Sequence, residues 1–122
     1  ATGISSNHHQ QEMMKDYGNS LNNGAYFLVG LDSEEVVGWV LIDKGFDWFT
    51  EEEIGWISDV YVKAAFRRKG YAKELLQHSF LHFKDLGYSD VRLNVFSFNE
   101  KAIKLYEKLG FKDVCKFMKI EL

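Results

Sequence analysis

Not one of the 122 residues is proline, and Cys115 is the single cysteine. Without proline, the turns fall to glycine, asparagine and aspartate. A lone cysteine excludes an internal disulfide, so nothing in the sequence points to an oxidising compartment. Cys115 is expected inside, as a small hydrophobe. Long apolar runs are also missing, and no stretch could span a membrane as a helix. The first residues lack the charged-then-apolar pattern of a secretory leader, and a cytoplasmic location is expected. Excess positive charge is lacking too. The formal net charge is -3 and the pI about 5.8. That balance excludes bulk electrostatic binding to nucleic acid, which needs many cationic phosphate contacts.

What is present is material for a core. Hydrophobic residues make up 46% of the chain and aromatics 16%. The length fits one domain with one core, and large rings supply much of its buried area. Charge is unevenly spread. Residues 63–73 carry five basic side chains and no acidic one, whereas residues 43–53 carry five acidic and one basic. A local basic cluster on a mildly acidic chain suits a small anionic ligand.

Residues 1–24 form a polar segment, with a helix end expected near Glu12 to Tyr17 and loops after it. His8 and His9 lie in that segment and are expected to be solvated, with no metal site. From 25 to 122 the pattern is that of a domain. The runs 25–31, 36–42 and 54–62 read as strands, the first two as an antiparallel hairpin. Ala72, Leu75, Leu76, Phe80, Phe83 and Leu86 recur at helical spacing, and Gly87 ends that helix. Residues 91–96 read as a strand. A second helix follows from Asn99, capped by Asn99 or Ser97 and ended by Gly110. Residues 114–121 read as a closing strand. The order implies a mixed α/β domain on a largely antiparallel sheet, with one right-handed parallel crossover.

The segment from Arg67 to Ala72 carries the chemistry. A helix start offers backbone N–H groups without intrahelical partners, at the positive end of the helix dipole. Together these form an anion site. Gly70 lets a phosphate come close to the backbone. Arg67, Arg68, Lys69 and Lys73 add full charges. The spacing matches neither the phosphate loop of nucleotide triphosphatases nor the three-glycine dinucleotide fingerprint.

Val60-Tyr61-Val62, followed by Arg67-x-x-Gly70-x-Ala72, resembles the signature of the GCN5-related N-acetyltransferases. Downstream, Leu93-x-Val95-x-x-x-Asn99-x-x-Ala102-x-x-Leu105-Tyr106-x-x-x-Gly110-Phe111 is similar to the family's second motif. The resemblance covers residues 25–122. It implies a sheet that splays between strands 54–62 and 91–96, with acetyl-coenzyme A in the opening. The pantetheine arm would lie along the backbone of Val60, Tyr61 and Val62. The pyrophosphate would take the amides around Arg68, Lys69, Gly70, Tyr71, Ala72 and Lys73, with Arg67 beside them. Asn99 and Tyr106 would lie near the thiol end.

The implied reaction is direct attack of a primary amine on the thioester, in a ternary complex. Tyr106 is the implied general acid. The base is less clear. Ser58 and Asn94 stand where relatives carry glutamates. Asp59 is the nearest carboxylate, but strand alternation sends it to the face opposite Trp56, Ser58 and Val60 unless a bulge changes the parity. Glu53, at the strand's start, is the other candidate, acting through water. The aromatic and acidic residues of 45–53 either receive a cationic amine or form a solvated loop with buried rings.

Family members begin with a strand and helix that find no counterpart before residue 25. An uncovered strand edge at 25–31 would then invite a homodimer. The acceptor is expected to be the amine of a small molecule or a protein, with no nucleic acid or membrane partner. Two other readings compete: a non-catalytic acyl-coenzyme A sensor, and a small protein–protein module with a surface anion site.

Overall fold

A computed structural model describes residues 24–122. The expectations for His8, His9, residues 12–17 and the remaining polar segment lie outside the described residues. Four strands form one sheet, in chain order: β1 (Tyr26–Asp32), β2 (Glu35–Asp47), β3 (Glu52–Val62) and β4 (Val91–Leu93). The first three are antiparallel neighbours, and β4 runs parallel to β3 after helix α1 (Tyr71–Asp85). Helix α2 (Glu100–Lys108) follows β4. This is the mixed α+β arrangement that the sequence implies. No helix among the described residues is long and apolar enough to cross a membrane.

Strand alternation builds two apolar layers. Leu28, Val40, Ile42 and Ile57 face Leu75, Leu76 and Phe83 of α1. Leu105, Tyr106 and Leu109 of α2 pack against the same cluster. Phe27, Val29, Val36, Trp39 and Leu41 form the second cluster, with Tyr61 against it. Phe83 is fully buried and seats α1 on the sheet. Its ring lies so near Gly55 that a Cβ there would sit 2.6 Å from it.

Three expectations are corrected. The strand at 91–96 ends at Leu93, because β3 and β4 part there and residues 94–96 have no ladder to join. Residues 114–121 form no strand. Their alternating pattern supplies a face, but a strand also needs a pairing edge, and β4 offers only three residues. Cys115 lies on this segment and is exposed rather than buried.

Candidate functional site

The sheet opens where the motifs meet. β4 pairs with β3 at Gly55, Trp56 and Ile57 only, so residues 58–62 of β3 carry no strand on that side among the described residues. The opening coincides with a bulge. Leu41 lies opposite Asp59, yet Ile42 lies opposite Ile57, leaving Ser58 as the extra residue. Alternation therefore breaks at Ser58 but holds beyond it, and Asp59 lies on the face opposite Val60 as alternation implies. Ile57 shares the helix-side layer with Val60 and Val62, whereas Asp59 and Tyr61 turn to the face of Trp39 and Leu41. Ser58 donates from Oγ to Asp43 Oδ2 at 3.3 Å, a partner that no sequence signal announced.

Past β3, a short 3₁₀ turn (Ala64–Phe66) leads to the basic loop. Arg68 has φ 63° and Gly70 φ 82°, so two residues of this loop adopt left-handed conformations. Gly70 is the N-cap of α1 and supplies no side chain to its first amides. The space where a Gly70 Cβ would lie is open, with no atom within 4 Å. The amides of Tyr71, Ala72 and Lys73 precede the first helical bond, from Glu74 N to Gly70 O. Here a diphosphate fits: unpaired donors, a dipole of the right sign, an open approach, and exposed Arg68, Lys69 and Lys73.

Arg67 and Tyr71 have side chains employed otherwise. Arg67 Nε donates to Val62 O at 2.8 Å, and its guanidinium lies over the Tyr61 ring at 5.4 Å. The Tyr71 hydroxyl donates to Asp32 Oδ2 at 2.7 Å. These contacts fasten the loop to β3 and β1. Lys69 Nζ lies over the Phe66 ring at 5.9 Å.

Across the opening, Asn99 Oδ1 caps α2 by accepting from Ala102 N at 3.2 Å. One turn on, Tyr106 packs edge-to-face on Phe111. Its phenol is held above the ordinary tyrosine range, chiefly by burial and then by the negative charge of Asp59. Tyr106 packs on the helix-side layer and Asp59 points to the other face, so the link between them is the field of the Asp59 charge. Burial also pushes the Asp59 carboxyl up, while the Trp39 indole N–H and the Val60 amide favour its charged form. Trp39 Nε1 is buried without a complete hydrogen bond of its own.

Glu53 is not brought to this place. It pairs with Lys44 at 3.5 Å, exposed, near the far end of β3. Six residues of strand separate it from Asp59, roughly 20 Å. Asn94 is exposed beyond the end of β4. The aromatic loop is a hairpin tip, and its rings are not tucked in: Trp48 is 82% exposed and Phe49 fully so. Asp47 organises the tip, accepting from the Phe49 and Thr50 amides and pairing with Arg92 of β4 at 2.8 Å.

A splayed mixed sheet, a bulge at the splay and a helix start with open amides beside it define an acyl-coenzyme A N-acyltransferase fold. The chain belongs to the GNAT acetyltransferase family, whose model matches residues 3–111. That match begins ahead of the motif-bearing stretch from residue 25. The chain is 34% identical over 110 residues to an N-alpha-acetyltransferase of Sulfurisphaera tokodaii, covering 84% of this chain and 62% of that protein. It is 32% identical over 83 residues to the uncharacterized N-acetyltransferase YycN of Bacillus subtilis, covering 68% and 52%. The chain thus spans little more than half the length of these curated relatives. A putative acetyl transferase from Pyrococcus furiosus superposes with a TM-score of 0.78 at 26% identity, over 93% of this chain and 78% of that one.

Proposed function

We propose that the protein transfers the acetyl group of acetyl-coenzyme A to a primary amine, by direct attack in a ternary complex. The observation that carries this reading is the juxtaposition of the open β3 edge, starting at the Ser58 bulge, with the Gly70 helix start. The coenzyme supplies an activated acetyl thioester. The backbone of Val60, Tyr61 and Val62 would align its arm, and the amides of Arg68 to Lys73 would hold its diphosphate. Arg67 keeps both in register by tying the loop to Val62. Asn99 sets the start of α2, and so the position of Tyr106.

Asp59 accepts a proton from the attacking amine as the new C–N bond forms. Tyr106 donates a proton to the sulfur as the C–S bond breaks. A raised carboxyl and a phenol kept neutral suit those two roles. Glu53 falls out of the proposal because of its distance and its pairing with Lys44. The acceptor is the amine of a small molecule or a protein; the outer edge of β1, at the end of the sheet order, is a place for a second copy.

The test is release of coenzyme thiol from acetyl-coenzyme A across a panel of amines: amino acids, polyamines, amino sugars and peptide N-termini. Amine-dependent release supports transfer. Tight coenzyme binding with no release from any amine would instead make the protein a sensor.

A further inference from the structure

Trp39 is 2% exposed, and its indole N–H is a buried donor without an acceptor in full hydrogen-bonding geometry. Buried donors are nearly always paired, so an unmet one asks for a reason. A phenylalanine would fill the same apolar layer without this cost.

The register supplies the reason. Trp39 of β2 lies directly across from Tyr61 of β3, and Asp59 is the next residue along the same face. Such diagonal neighbours are within reach of a long aromatic side chain. Leu41, directly across from Asp59, offers no polar group. The indole is also held in place. It stacks on Tyr61 with ring centroids 4.8 Å apart, and Phe27 meets it edge-on at 6.0 Å.

We propose that Trp39 is a positioning residue for Asp59, its indole N–H steering the carboxylate on the far side of the Ser58 bulge. The proposal rests on the reading of Asp59 as the base. The groups around the carboxylate can be named. From α2 comes Tyr106, which senses its charge. On β3 itself are the Val60 amide and Tyr61, whose ring carries Arg67. Asp43 of β2 accepts from the Ser58 hydroxyl. From β2, the Trp39 N–H is the group that favours the ionised form.

Removing that N–H makes Asp59 harder to ionise. In Trp39→Phe the Asp59 midpoint moves upward. The direct measurement is a carbon-13 NMR titration of the Asp59 carboxyl in the full chain, wild type against Trp39→Phe, with Asp59→Asn to assign the signal. It needs no turnover. An unmoved midpoint overturns the proposal, and an upward shift supports it. The acidic limb of kcat/KM should rise by the same amount. A shifted carboxyl with an unmoved limb would leave the Trp39–Asp59 coupling standing and remove Asp59 from the role of base. Should Trp39→Phe fail to fold, the wild-type indole nitrogen-15 signals decide the matter. The Trp39 signal must titrate with the Asp59 midpoint while those of Trp48 and Trp56 do not; a flat Trp39 signal overturns the proposal.

Discussion

Tyr106 on α2 carries a phenol whose ionisation is opposed first by burial and then by the charge of Asp59 on β3. The two residues stand 47 positions apart in the chain, and Asp59 lies on the stretch of β3 that has lost its β4 neighbour. One group is an acid that burial makes reluctant to lose its proton. The other is a neutral phenol with a proton to give.

Tyr106→Phe removes the hydroxyl and keeps the ring on Phe111. We expect kcat to fall by about 10²–10⁴-fold, the usual contribution of a positioned general acid, with coenzyme affinity little changed. Steady-state kinetics beside calorimetry separates the two effects. Unchanged turnover would remove Tyr106 from the acid role.

Asp59→Asn should lower activity and yet stabilise the fold at neutral pH. The folded pKa of Asp59 is raised, so the native state holds the proton more tightly than the unfolded chain does. Its contribution is present below the unfolded pKa and is lost as pH rises through the folded pKa. Above that window the buried carboxylate opposes folding, a penalty that asparagine avoids. The difference in Tm, variant minus wild type, should therefore grow from pH 4.5 to pH 7.5. A difference that shrank with pH would contradict the assignment.

Much of this was legible in residue order. Helical spacing from Ala72 to Leu86 gave α1, and Gly87 and Gly110 end the helices with positive φ as expected. The loop and helix start at Gly70 were legible because they are local. Features set by pairing between strands were not. Alternation put Asp59 opposite Val60 correctly but cannot reveal a bulge, so the joining of Ile57 to the Val60 face needed the register between Leu41 and Ile57. Residues 114–121 have the pattern of a strand, but a pattern does not name a partner. The pairing of Glu53 with Lys44 is likewise a cross-strand contact that residue order does not show. Nothing in the sequence marked the Trp39 N–H as unmet.

Gly70→Val should act on the ligand more than on the fold. The residue has φ 82°, and a side chain there meets no protein atom within 4 Å. Its backbone strain costs about 1–2 kcal/mol, a loss of several degrees in Tm. The added methyl groups would occupy the approach of the diphosphate. Affinity for coenzyme A should fall at least about tenfold, the equivalent of ~1.4 kcal/mol. Calorimetric titration and thermal melts on the same sample check both parts.

Gly55→Val tests how α1 is seated. The new Cβ would lie 2.6 Å from Phe83 Cδ1, and Phe83 is fully buried with no room to turn. Overpacking of this kind costs about 1–3 kcal/mol. Urea unfolding should show that loss, and Phe83→Leu in the same chain should recover part of it. Strict additivity of the two substitutions would mean that they do not meet.

The central claim is that the amides from Arg68 to Lys73, opened by Gly70, hold the diphosphate of coenzyme A. Isothermal titration of the purified chain with coenzyme A and with acetyl-coenzyme A measures it most directly. Saturable one-to-one binding of both, weakened in Gly70→Val, is the result the account predicts. Absence of saturable binding for either would contradict it.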